Sequence, residues 1–235
     1  MLGIQKVFLN YFKDAVFPLF CVGCGAEGRI ICNSCFENIN SSGVLACPVC
    51  HRARDGGWVC VGCRPESILD RQIAIAEYSE SGSAGRILRA FKYEYIEDAK
   101  ERILALVNDF VSNNRGLFSK VEAIVPVPLH PRRQAERGFN QAEVIADRLA
   151  ALLGIPKLLC LARTVYTVQQ AKLKLAERKN NMENAFEFIG SAFGRMNRVL
   201  LVDDIYTTGS TMRECARVLK SNGAGKVAGF TIARG

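Results

Sequence analysis

The sequence predicts an α/β fold on a parallel sheet with a small metal-stabilised module at its N-terminus, and three stretches carry that prediction. In R-V-L-L-V-D-D-I-Y-T-T-G-S-T-M, residues 198–212, the apolar run Val199–Val202 is bounded by charge on both sides and leads into a polar turn and a helical run. That is the pattern of a strand buried on both faces, as in a parallel sheet. In P-V-P-L-H-P-R-R-Q-A-E-R-G-F-N-Q, residues 126–141, a second buried-type run (Val121–Val127) again leads into a turn and a helix. The third stretch holds eight of the ten cysteines, in four C-x2-C pairs before residue 64.

The first twenty residues are apolar but interrupted by Lys6, Lys13 and Asp14. They lack the long apolar core and small-residue cleavage site of a signal peptide and are too polar to span a bilayer. They are expected to form an amphipathic helix (1–20), docked on the protein itself, a partner or a membrane surface. No other segment resembles a membrane span, and a cytoplasmic protein is expected.

The second element, 21–66, holds the pairs Cys21/Cys24, Cys32/Cys35, Cys47/Cys50 and Cys60/Cys63. Two residues between thiols let both sulfurs face one ion, and two such knuckles complete a tetrahedral four-cysteine zinc site. Two structural zinc ions are therefore expected. Pairing first with second and third with fourth is simplest, although spacing alone also permits interleaving. With few large apolar side chains, this segment needs the metal to fold. His51 is read as a solvent-exposed imidazole rather than a ligand, and Cys160 and Cys215 as core residues.

The formal charge is +8, of which residues 120–179 contribute eleven cations against five acids. Eight thiolates and two Zn²⁺ sum to −4, which brings the metal-loaded chain to about +4. A basic isoelectric point therefore does not establish nucleic-acid binding.

Residues 64–70 read as a short hinge, and 71–235 as the larger domain. Gln72–Tyr78 alternates like a strand; Ser83–Lys92 and Ile96–Asn108 have apolar residues at helical spacing. Lys92 has two readings, a phosphate ligand or a solvated lysine at a helix C-terminus. Arg132, Arg133 and Arg137 offer forked donors to phosphate oxygens beside the stiff turn at Val127 and Pro128. Asn140 is the expected N-cap of a helix reaching Leu153 and ending at Gly154. After a short strand, Leu158–Ala162, comes a long polar and basic stretch. It reads as a lid, with Arg163, Gln170, Lys172 and Arg178 as candidates to reach over a substrate. Phe186–Ile189 returns to the core, and Lys226–Ala233 is the last strand.

The chemistry concentrates after Val202. Asp203 and Asp204 close a strand, and Thr207, Thr208, Gly209, Ser210 and Thr211 form a turn at a helix N-terminus, where unpaired N–H groups suit an anion. Carboxylates repel phosphate but suit vicinal hydroxyls, as in dinucleotide folds. Phosphate in the turn and a diol on the acids together describe a ribose 5-phosphate.

Four C-x2-C knuckles, then V-P-V-P-L with R-G-F-N-Q, then V-D-D-I-Y-T-T-G-S-T together resemble the ComF family. Its members join a double zinc ribbon to a class I phosphoribosyltransferase domain and are associated with natural competence. The resemblance implies binding of 5-phosphoribosyl 1-pyrophosphate, with Mg²⁺ held through pyrophosphate oxygens. It places the ribose hydroxyls on Asp203 and Asp204, the 5-phosphate on Thr207–Thr211, and pyrophosphate on the loop after Val127. Transfer of phosphoribose to an acceptor is the implied chemistry, and Arg178 of the lid stretch is the further catalytic candidate beside Asp203 and Asp204. The alternative is an adaptor without turnover that binds single-stranded DNA or a helicase-like partner. Purine-salvage enzymes carry an acid where this chain has Thr207, which argues against hypoxanthine or guanine as acceptor. A hood over the acceptor is expected from residues before about Val121, with the ribbons leaning over the site.

Overall fold

The computed structural model describes residues 18–93, 97–166, 184–190 and 197–235. Most of the expected N-terminal helix lies outside them, as do Gln170, Lys172 and Arg178. Helix α1 (Asn33–Glu37) lies within the first cysteine module and strand β1 (Val44–Leu45) follows it. Next come β2 (Arg71–Glu77), α2 (Ser83–Tyr93), α3 (Glu97–Asn113), β3 (Ala123–Pro126), α4 (Pro131–Arg137) and α5 (Gln141–Leu153). Strands β4 (Leu161–Arg163), β5 (Phe186–Phe188), β6 (Arg198–Val202) and β7 (Ile205–Tyr206), helix α6 (Ser210–Ser221) and strand β8 (Lys226–Arg234) complete the chain.

The main sheet runs β1-β2-β8-β6-β3, with β7 also paired to β8. Every pairing in it is parallel except that of β1 with β2. Alternation along the strands divides the core in two. Leu200, Val202, Phe230 and Ile232 face the layer of α2, α3 and α5. Val199, Leu201 and Val227 face α6 and the small β4–β5 ribbon. Side chains on both faces explain why β6 reads as a continuous apolar run rather than an alternating one.

Local chemistry sets the helix ends. The Asn140 side chain accepts from the Ala142 N–H (3.0 Å), and Gly154, in the left-handed region (φ 68°), stops α5. The stretch read as a stiff turn contains helix α4. Pro131 occupies its first turn, where a missing N–H costs nothing, and the imidazole of His130 accepts from the Arg132 N–H (3.2 Å). Three prolines thus stiffen the approach to a helix rather than a simple loop.

The hinge is pinned to the sheet. Asp70 donates its N–H to Val227 O (3.0 Å), and its carboxylate accepts from the Val227 N–H (2.9 Å).

Candidate functional site

The carboxyl ends of β3 and β6 open into a cleft of ≈ 270 Å³. It is lined by Lys92 from α2, by Val127, Pro128, Arg133 and Arg137 from the β3–α4 segment, and by Asp203, Asp204, Thr207 and Thr211 after β6. Thr208, Gly209 and Ser210 form the turn between those two threonines. The Thr208 and Ser210 hydroxyls lie 2.9 Å apart, and the Ser210 N–H also reaches Thr208 Oγ1 (3.4 Å). Gly209 has φ 70°, and a Cβ there would run into the ring and hydroxyl of Tyr206. Only glycine fits a left-handed position pressed so closely onto an aromatic ring.

The acids are held asymmetrically. Asp203 Oδ1 accepts from the Asp204 N–H (2.9 Å), and Lys92 Nζ lies 2.6 Å from Asp204 Oδ2. Desolvation, reinforced by the negative charge of Asp204, raises the Asp203 carboxyl to about 7. Two adjacent carboxylates with one lysine cannot both ionise freely in such a site, so the pair retains a proton near neutrality. Lys92 lines the cleft, and its side chain is paired rather than solvated. It is the counter-ion of Asp204.

Arg163 reaches the cleft from the end of β4, and its guanidinium stacks on Phe186 (5.4 Å). Burial lowers its pKa, and the neighbouring charge of Arg133 adds to the effect. Arg137 donates to Gln141 Oε1 (3.2 Å). Arg132 points elsewhere and packs on Tyr166 (5.4 Å). Tyr78 and Leu129 also line the cleft, and no local sequence signal marked them. Cys160 and Cys215 are buried core thiols, and burial raises both, Cys160 to about 11.

The cysteines gather as Cys21/Cys24/Cys32/Cys35 and Cys47/Cys50/Cys60/Cys63, first pair with second and third with fourth. Zn–S bonds of about 2.3 Å in a tetrahedron place sulfurs about 3.8 Å apart. Cys24–Cys32 at 3.7 Å, Cys50–Cys60 at 3.8 Å and Cys47–Cys60 at 3.9 Å match that edge. Within each group the thiols compete for negative charge. Burial opposes ionisation of Cys21 and Cys47, but backbone N–H donors outweigh it and bring both to about 6. Hydrogen bonds with Cys32 and Cys60 respectively, together with burial, push Cys35 and Cys63 up to about 12. A dication removes this conflict by stabilising all four thiolates at once. The residues fit two zinc ions. His51 is exposed and outside both groups.

The chain is 30% identical over 233 residues to competence protein F of Haemophilus influenzae, covering 93% of this chain and 98% of that protein. It belongs to the ComF family. Competence protein ComFC of Bacillus subtilis is 32% identical, over 87% of this chain and 84% of its own. DNA utilization protein YhgH of Escherichia coli is 33% identical over 70% of this chain and 72% of its own. No family model matches the chain. Among solved structures, glutamine phosphoribosylpyrophosphate amidotransferase from B. subtilis aligns over 60% of this chain and 29% of that one, at 18% identity and a TM-score of 0.39. That likeness is too distant to carry an argument. Among the described residues no helix is long and apolar enough to cross a membrane.

Proposed function

We propose that this ComF-family protein binds 5-phosphoribosyl 1-pyrophosphate in the cleft and transfers its phosphoribosyl group to an acceptor, in a role tied to DNA uptake. The observation that supports this most is the opposition of charge within one cleft. Asp203 and Asp204 share one cleft with Thr207 and Thr211 of the turn that opens α6 and with Arg133, Arg137 and Arg163. A diol with an anion at each end is the ligand that satisfies all three groups. In that pose the turn takes the 5-phosphate and the arginines take pyrophosphate. Lys92 gives up Asp204 to the ribose hydroxyls and turns to an anionic oxygen. Magnesium would bind through pyrophosphate oxygens and neutralise the leaving group. The bond from C1 to the pyrophosphate oxygen breaks, a bond to the acceptor forms, and the acceptor proton leaves. The protein contributes charge stabilisation and positioning.

The names of the relatives favour a second reading, an adaptor in DNA handling that binds the sugar phosphate, single-stranded DNA or a helicase-like partner without turnover. Calorimetric titration with 5-phosphoribosyl 1-pyrophosphate and Mg²⁺, followed by a pyrophosphate-release assay, separates the two. Binding with no release in the presence of candidate acceptors selects the adaptor. No binding at millimolar ligand rejects both uses of the cleft.

A further inference from the structure

A second cleft, ≈ 420 Å³, opens at the opposite end of the sheet, where β2, β6 and β8 begin. Ligands of parallel sheets gather at the carboxyl ends of the strands, so the fold does not account for this one. Its volume falls in the range of about 300–1,000 Å³ typical of small-molecule sites. The second cysteine module supplies one wall through Trp58, the only tryptophan of the chain. The residue is 47% exposed, unusual for the largest aromatic side chain in a protein with ample core.

Trp58 is held by Arg71. Arg71 is buried, donates to Gly56 O and to Leu117 O (2.7 Å), and lays its guanidinium 5.0 Å from the indole centroid. It thereby ties the tryptophan wall to the wall formed by residues 116–121. Arg71 is structural, since its Nε and Nη1 are committed to backbone carbonyls. The remaining cations of the cleft are not. Lys120, Arg198 and Lys226 are exposed and, among the described residues, pair with no carboxylate. Lys226 Nζ lies 5.9 Å from the Trp58 centroid. Of the two acids in the lining, Asp70 is already engaged by Lys220 (2.8 Å) and the Val227 N–H, which leaves Asp55. The cleft thus combines a fixed, half-exposed aromatic face with three uncommitted cations.

We propose that this cleft binds a nucleotide, with its base against Trp58 and its phosphate on Lys226, Arg198 and Lys120. Aromatic stacking accepts any base, and cations beside the ring supply the anion contact. Simple anions would use the cations but leave the indole unemployed. The nucleotide can be free or part of a single strand, since both present the same base and phosphate. The proposal is independent of the sugar-phosphate reading, because no residue is shared between the two clefts.

A single tryptophan makes the test direct. Zinc-loaded full-length protein is titrated with adenosine monophosphate, ribose 5-phosphate, thymidine monophosphate and oligothymidylate while Trp58 emission is followed. We expect saturable quenching by the two nucleotides and none by ribose 5-phosphate. The double variant R198Q/K226Q should weaken nucleotide binding by about tenfold or more, as loss of two charged donors implies. The same variant should keep its zinc content and its titration with 5-phosphoribosyl 1-pyrophosphate. Oligothymidylate binding much tighter than thymidine monophosphate identifies a strand as the source, and equal or weaker binding identifies the free nucleotide. Absence of quenching, equal quenching by ribose 5-phosphate, or an affinity unchanged in the double variant overturns the proposal.

Discussion

The two four-cysteine modules share the C-x2-C spacing of their pairs and differ in what they rest on. The first sits on the helical layer through side chains. Asp98 accepts the Ile30 N–H (2.9 Å), Arg86 donates to Val22 O (2.7 Å), and Arg102 reaches Asn33 and stacks on Phe36. The second is continuous with the sheet. Strand β1 pairs with β2, and Arg234 donates to Ala46 O (3.0 Å) and Cys47 O (2.9 Å). The buried Tyr206 hydroxyl donates to Pro48 O (2.9 Å). Tyr206 also carries the ring against which Gly209 is packed, so the third knuckle is two contacts from the 207–211 turn. Equal metal chemistry therefore has unequal reach. One module is an attachment, and the other supports the candidate site.

Removing a ligand from each module is the strongest way to break that comparison. C24S and C47S each leave an incomplete thiolate site, whose binding free energy is folding free energy, so each should lose one of two zinc ions and unfold its own module. C47S should in addition expose backbone amides of residues 198–212 to hydrogen exchange and weaken binding of 5-phosphoribosyl 1-pyrophosphate by about tenfold or more, the effect of about 1.4 kcal/mol. C24S should leave both readings within about twofold. Equal effects from the two variants would abolish the distinction. The same contacts change what the hinge implies. Every proposed phosphate ligand follows residue 66, yet cutting there removes Pro48 and β1 from beneath the turn.

D204N acts from the other end. It keeps size and removes an ionised acceptor, so sugar-phosphate affinity should fall about ten- to a hundredfold, from charge-assisted hydrogen bonds of about 1.5–3 kcal/mol. Both zinc ions and the protection of both modules should persist. An unchanged titration curve means the acids do not face the ligand.

Y206F isolates one bond of the link. It leaves Pro48 O buried without its donor, at a cost of about 1–3 kcal/mol, or roughly 2–4 °C in melting temperature per kcal/mol for a chain of this size. Exchange should rise in the second module and the 207–211 turn while the first module stays protected. A variant that melts like the parent removes Tyr206 from the connection.

What the sequence displayed was local. The apolar run of β6 and its charged ends, the T-T-G-S-T turn, the paired cysteines and the Asn140 cap each depend on residues within a few positions of one another, so spacing and propensity reveal them. Helix α4 was also within reach: Pro131 at its start, helix-forming R-R-Q-A-E-R and Gly138 at its end are the usual signals. The three prolines also signal a stiff turn, and that signal masks the helix. The Lys92–Asp204 ion pair, the entry of Arg163 from β4 and the Tyr206–Pro48 bond join segments remote in sequence. No periodicity encodes such meetings. Strand β1, two residues long, is below the length at which alternation can be read.

The smallest effect concerns the proton on the acids and whether it is felt beyond the cleft. Burial and Asp204 raise the Asp203 carboxyl from 3.8 to about 7 in the folded chain. Between those values the folded state binds a proton that the unfolded state has released, so stability falls as pH rises from about 4 through 7 and levels off above. D203N carries no such proton. Its melting temperature should match the parent near pH 4 and exceed it by a few degrees at pH 8, the partial exposure and Lys92 keeping the gap modest. Asp203 donates its N–H to Phe230 O on β8, the strand whose Arg234 holds Cys47 O. Amides of the second module should therefore gain protection in D203N at pH 8 but not near pH 4, with the first module indifferent at both. Comparing each variant with its parent at one pH cancels the pH dependence of zinc binding itself. A parent and variant that melt together across the range would show that Asp203 ionises at ordinary carboxylate pH, and that the proton on the acids has no hold on either module.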